Sequence, residues 1–130
     1  MVVAGVDVGR VRDPSAVVRL ADDGTILSAQ RVKLGESLRS NVSTIVHLAL
    51  GASLVAVDAT GVGSPVAEAL AARGVRVLPV VFTAQSKLGL MQDLTQALPM
   101  MRVAPDCPGA DDLREELSRV TATPTRRGLK

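Results

Sequence analysis

Two short apolar runs in this chain stop at an aspartate: Val2 to Val6 runs into Asp7, and Leu54 to Val57 runs into Asp58. A glycine follows each aspartate closely, in Asp7-Val8-Gly9 and in Asp58-Ala59-Thr60-Gly61. Runs this short, rich in valine and bounded by turn residues, read as strands rather than helices. Parallel neighbours of this kind stand about 4.8 Å apart. Their two carboxylates would then converge at the carboxyl edge of a sheet, where open α/β sheets place their ligands.

The rest of the chain supplies the elements such a sheet needs. Ala16 to Leu20 and Ile26 to Leu34 read as two further strands joined by the turn Asp22-Asp23-Gly24, so the first three strands form an antiparallel meander. Val42, Ile45, Val46 and Ala49 recur at helical spacing and predict a helix from Ser40 to Leu50, stopped at Gly51. Leu54 to Val57 is apolar throughout and is expected to be buried on both faces. Ser64 and Pro65 suit the start of a helix to Arg73, and Val75 to Val81 reads as a fifth strand. A strand, helix, strand order implies a parallel crossover. Ser86 is expected to cap a helix to Ala97 with Leu90, Leu94 and Leu98 on one stripe. Met101 to Ala104 suits a short extended piece, Ala110 to Ser118 a last helix, and residues 120 to 130 a frayed or truncated end. The expected architecture is one α/β domain over residues 1–130, with a mixed five-stranded sheet flanked by helices.

Composition limits what this domain can do. With 47% hydrophobic residues the chain can bury a core, but Phe82 is its only aromatic, so Val, Leu and Ala must build it. Fifteen Lys and Arg stand against 13 Asp and Glu, a mildly basic balance compatible with a polyanionic partner. Cys107 is the only cysteine, which excludes an intrachain disulfide and favours an intracellular setting; it reads as an incidental thiol. No secretory leader is legible, and the apolar runs are far shorter than the roughly 20 residues a membrane span needs. A soluble cytoplasmic protein with no membrane partner is expected.

Taken singly, each aspartate reads as a turn residue satisfied by backbone N–H groups. Taken together, two close carboxylates repel and need a shared proton or a cation. An all-oxygen donor set points to Mg²⁺ or Mn²⁺ rather than zinc. Two such ions about 3.5–4 Å apart can activate water and stabilise the leaving oxygen in phosphodiester cleavage.

The residues around both aspartates also resemble a known family. Gly5-Val6-Asp7-Val8-Gly9-Arg10-Val11-Arg12-Asp13-Pro14-Ser15-Ala16-Val17-Val18 is similar to the opening strand and hairpin of the nuclease domain of phage terminase large subunits. Val55-Ala56-Val57-Asp58-Ala59-Thr60-Gly61-Val62-Gly63-Ser64-Pro65-Val66 resembles that family's second acidic motif and is the more specific of the two. Pro79 to Lys87 and Leu113 to Leu117 continue the resemblance more loosely, over residues 3 to about 119. It implies a ribonuclease H-like fold and a metal-dependent endonuclease that cuts viral DNA during packaging in a bacterial host cell. By position, Asp7 and Asp58 would be its first two metal ligands. Asp13 would be a supporting acid, although a turn residue before Pro14 is an equal reading. An ATPase motor, a portal and a small terminase subunit are the implied protein partners.

Two departures qualify this. No G-x-x-x-x-G-K-[ST] motif is present, so these residues are not expected to translocate DNA by themselves. The family's third acidic cluster lies on a helix beyond Lys130, and no Asp or Glu follows Glu116, so a truncated domain lacking its third ligand is expected. Asp111, Asp112, Glu115 and Glu116 read as solvated charges at a helix start rather than substitutes.

For DNA, Arg10, Arg12, Lys33, Lys87, Arg119, Arg126, Arg127 and Lys130 are the candidate phosphate contacts, weighed against an ordinary solvated surface. The lack of Tyr and Trp disfavours a base-stacking platform and favours duplex contact. His47 reads as a surface histidine, and Glu68 as a helix-start acid. Three other readings stand beside the terminase one. A Holliday-junction resolvase-like nuclease shares the fold and fits the chain length. A non-catalytic nuclease-like domain that binds DNA or a partner would need no third acid. An actin-type nucleotide-binding module would need a second large domain that this length does not supply.

Overall fold

The computed structural model describes residues 1–9, 13–61 and 63–122, with side chains as far as 119. Arg10, Arg12, Arg126, Arg127 and Lys130 lie outside the described residues. The chain runs β1 (Val2–Asp7), β2 (Ser15–Ala21), β3 (Thr25–Val32), α1 (Leu38–Leu48), β4 (Leu54–Asp58), α2 (Gly63–Ala72), β5 (Val77–Val80), α3 (Ala84–Ala97), β6 (Arg102–Val103) and α4 (Ala110–Ala122).

The meander forms because its turn chemistry is local. Gly24 takes a left-handed φ of 91° and donates its N–H to Ala21 O at 3.1 Å, while Asp23 Oδ1 accepts from Thr25 N–H at 2.9 Å. β1 then pairs antiparallel with β2 and parallel with β4, and β4 pairs parallel with β5. The sheet has six strands, in the order β5-β4-β1-β2-β3-β6, where the sequence predicts five. The extra strand is the extended piece at Arg102–Val103, which joins the edge by pairing parallel with Thr25 and Ile26. Two residues carry no periodicity, so only the pairing makes them a strand.

Alternation along the strands divides the sheet into two unlike faces. On one face Ala4, Val6, Val17, Val55 and Val57 pack against Val42 and Ile45 of α1 and Val66, Ala67 and Leu70 of α2. Ile45 and Val57 are fully buried and Leu70 nearly so. Burial of each such side chain is worth about 1.5–3 kcal/mol. α1 begins earlier than the sequence predicts because Ser37, not Ser40, accepts the capping bond, from Ser40 N–H at 3.2 Å.

The second face is different. β4 is buried only at Val55 and Val57, which corrects the expectation of burial on both faces. The physical reason is that no residue of α3 is buried: Leu88 and Leu90 remain 47% and 46% exposed, so the leucine stripe of α3 builds no second core. α4 sits instead at the β3 side, where Arg31 meets Asp112 at 3.3 Å and Glu116 at 3.6 Å. The segment before α4 is anchored by Ala29 N–H donating to Pro108 O at 2.8 Å. Among the described residues, no helix is long and apolar enough to cross a membrane.

Candidate active site

β1 and β4 are in parallel register, with Gly5 opposite Ala56 and Val6 opposite Val57. One step further along each strand come Asp7 and Asp58. Since Val6 and Val57 face the core, both aspartates face the open side. They line one cleft of about 530 Å³. Gly5, Ala16 and Ala56 form its floor, and Phe82, Lys87 and Leu90 form a wall. A larger groove of about 690 Å³ lies between α1 and α2, on the core side of the sheet, and no carboxylate lines it. Chemistry that needs acids belongs to the smaller cleft.

Each aspartate is fixed by the turn behind it. Asp58 Oδ1 accepts from Thr60 N–H at 2.9 Å, an Asx turn two residues long. The Thr60 hydroxyl in turn accepts from Phe82 N–H at 2.8 Å, and Ala59 N–H donates to Val80 O at 2.7 Å. The loop after β4 is thereby sewn to the loop after β5. Gly63 opens α2 directly beneath: a Cβ there would lie 1.6 Å from Asp58 O, so only glycine fits. Behind Asp7, Gly9 N–H donates to the buried Ser15 hydroxyl at 2.9 Å.

The electrostatics bear on what the cleft can hold. Burial raises the Asp7 pKa from its ordinary value, the Asp58 charge raises it further, and the Lys87 ammonium pulls it down. Asp7 keeps one side open to solvent, so these effects are partly screened. Two carboxylates converging on one edge also favour a hard cation. Among the described residues, no group of three or more His, Cys, Asp and Glu comes together as a metal site, so Asp7 and Asp58 stand as a pair.

Lys87 reaches the cleft from the first turn of α3. Thr83 caps this helix by accepting from Ser86 N–H at 3.1 Å, and Ser86 Oγ accepts from Thr83 N–H at 2.8 Å. The cap is therefore Thr83, with Ser86 as its reciprocal partner, rather than Ser86 alone. The Lys87 ammonium lies 5.7 Å from the centre of the Phe82 ring.

The other residues singled out by sequence lie elsewhere. Asp13 is exposed in the link before β2 and does not line the cleft, nor do the exposed Lys33, His47 and Glu68. Asp112 and Glu116 pair with Arg31, Asp111 with Arg114 at 3.7 Å, and Glu115 with Arg119. Sequence reasoning missed Thr60 and Phe82. An Asp-x-Thr spacing was legible as an Asx turn, but no local signal told that Thr60 would meet a residue so far along the chain.

No family model and no curated protein matches the sequence. Solved structures do. The large terminase nuclease of thermophilic phage G20c with bound magnesium superposes with a TM-score of 0.71 at 26% identity, over 99% of this chain and 69% of that one. The zinc-bound form gives 0.66 at 29% identity, over 91% and 69%. The cobalt-bound form gives 0.63 at 29%, over 83% and 57%. The chain has the fold of a large terminase nuclease domain. It spans between 57% and 69% of the length of these three terminase nucleases. The ribonuclease H-like sheet expected from sequence is thus present, with a short sixth strand at its edge. In this terminase nuclease fold, the aspartate pair lies on the open face at the carboxyl edge of the adjacent parallel strands β1 and β4.

Proposed function

We propose that this chain is a metal-dependent endonuclease domain that hydrolyses phosphodiester bonds of double-stranded DNA, as in viral DNA-packaging terminases. One observation carries the reading: Asp7 and Asp58 stand at adjacent positions of a parallel strand pair, on the side of the strands away from Val6, Val57 and the core they pack in. The terminase nuclease likeness, in structures solved with bound divalent metals, supports it.

Asp7 and Asp58 are the proposed catalytic residues and would hold Mg²⁺ or Mn²⁺, with Asp13 a candidate supporting ligand. The donor set fits a hard cation, because both groups are carboxylates and the Asp58 charge raises the cost of ionising Asp7. Two bound ions would supply a water of lowered pKa and positive charge at the leaving oxygen. The chain's own part is to hold two oxygen donors at one edge: Thr60 N–H turns the Asp58 carboxylate, and Gly63 lets α2 start against its backbone. Arg10, Arg12, Lys87, Arg126 and Arg127 are the proposed phosphate contacts, which set register on a duplex without reading sequence. An ATPase motor, a portal and a small terminase subunit are the proposed partners, in the cytoplasm of a bacterial host.

A second reading has its own observation. No third acid joins the pair among the described residues, which favours a nuclease-like domain that binds DNA without cutting it. Nicking of supercoiled plasmid by the purified chain decides between them, with Mn²⁺, Mg²⁺ and EDTA and with Asp58→Asn alongside. Metal-dependent nicking that the variant lacks establishes the nuclease. Binding without nicking by folded protein establishes the second reading.

A further inference from the structure

Among the described residues that line the cleft, Lys87 is the one cation. Asp7 and Asp58 form its acidic edge, and Lys87 stands on the facing wall. Lys87 makes no ion pair among the described residues, although its charge reaches Asp7. Its ammonium is held over the ring of Phe82, within the roughly 6 Å range of a cation–π contact. Phe82 is in turn fixed by its N–H donating to the Thr60 hydroxyl, and the N–H of the same Thr60 holds the Asp58 carboxylate. One residue therefore sets the place of both a carboxylate and the opposing cation. A lysine with nothing to do but dissolve a surface needs no such mounting.

We propose that Lys87 binds a backbone phosphate of the nucleic acid lying across Asp7 and Asp58, and that Thr60 is the positioning residue that fixes this cation relative to the carboxylate pair. This rests on the reading of the cleft as a phosphodiester site. Two carboxylates repel a polyanion, and a cation fixed opposite them offsets that repulsion where the backbone must pass. A lysine suits the task as a point charge on a long stem, steadied here by an aromatic face.

The test is duplex affinity of the full chain in Ca²⁺, by fluorescence anisotropy across a series of KCl concentrations. Circular dichroism checks the fold of each variant. Lys87→Gln is expected to weaken binding on every sequence and to reduce the salt slope by about one. Lys87→Arg is expected to keep the slope. Thr60→Val should reproduce the Lys87→Gln loss through Phe82, and Thr60→Ser should restore it. A merely internal counter-ion role predicts the opposite pattern: Lys87→Gln binds Mn²⁺ more tightly by calorimetry and leaves the salt slope unchanged. That outcome overturns the proposal. Lys87→Met, which keeps the apolar stem over Phe82, replaces Lys87→Gln should the latter fail to fold. Wild-type nicking is read separately. A Lys87-dependent slope without nicking sustains this inference and overturns the nuclease; nicking with an unchanged slope does the reverse. A wild type without duplex affinity overturns both.

Discussion

Asp7 and Asp58 each stand one residue past a register pair, Val6 with Val57, in a parallel ladder. The strand register brings the two charges to one edge, and that has a measurable consequence. Burial and the Asp58 charge raise the Asp7 pKa above its ordinary 3.8. The folded chain therefore holds more protons than the unfolded chain between 3.8 and the raised value. Stability from this group is greatest below that window and is lost as pH rises through it. Metal-free Asp7→Asn should melt higher than wild type at neutral pH. The advantage should vanish in acid, where Asp7 is protonated anyway. Thermal melts in EDTA across pH give the answer; a variant that melts lower at every pH makes Asp7 a structural residue.

Bound metal should reverse that order. A ligand that binds only the folded state stabilises it by mass action. Mn²⁺ is expected to raise the melting temperature of wild type and to leave Asp7→Asn and Asp58→Asn unmoved. Differential scanning fluorimetry with and without Mn²⁺ suffices. An equal shift in all three proteins would place the ion somewhere else.

Gly63 is the tightest point of the site, with Asp58 O lying where a Cβ would go. Gly63→Ala must displace the start of α2 or the end of β4. We expect a loss of about 1–3 kcal/mol in urea denaturation, together with weaker Mn²⁺ binding. A neutral Gly63→Ala would mean that the loop after Asp58 yields freely.

The two faces of the sheet should answer mutation differently. Ile45→Ala removes a fully buried side chain and should cost about 2–5 kcal/mol. Leu90→Ala, on the exposed leucine stripe, should stay within about 0.5 kcal/mol. Equal costs would show that α3 is covered in solution.

Much of this was legible in the residues. The strand ends at Asp7 and Asp58, the turn at Asp22-Asp23-Gly24 and the order of the elements follow from apolar runs and turn chemistry, which are local. The rest depends on what each element meets. Leu90, Leu94 and Leu98 look like a core stripe, but periodicity does not say whether a helix finds a sheet to cover. The same limit explains β4, apolar along its length and covered on one side only. Thr60 and Phe82 meet through a bond between two loops, and Thr83 takes the cap because its hydroxyl reaches Ser86. The association of Asp7 with Asp58 was inferable only once the strands were taken to be parallel neighbours, which no single residue states.

Because the valines that hold the domain together and the aspartates that give it chemistry project from opposite sides of the same strands, they share a backbone and little else. Changes that lie well apart on the two sides should then combine additively. Such a layer lets a lineage exchange, weaken or lose its reactive groups while the scaffold persists, and lets the scaffold drift while the reactive edge stays put.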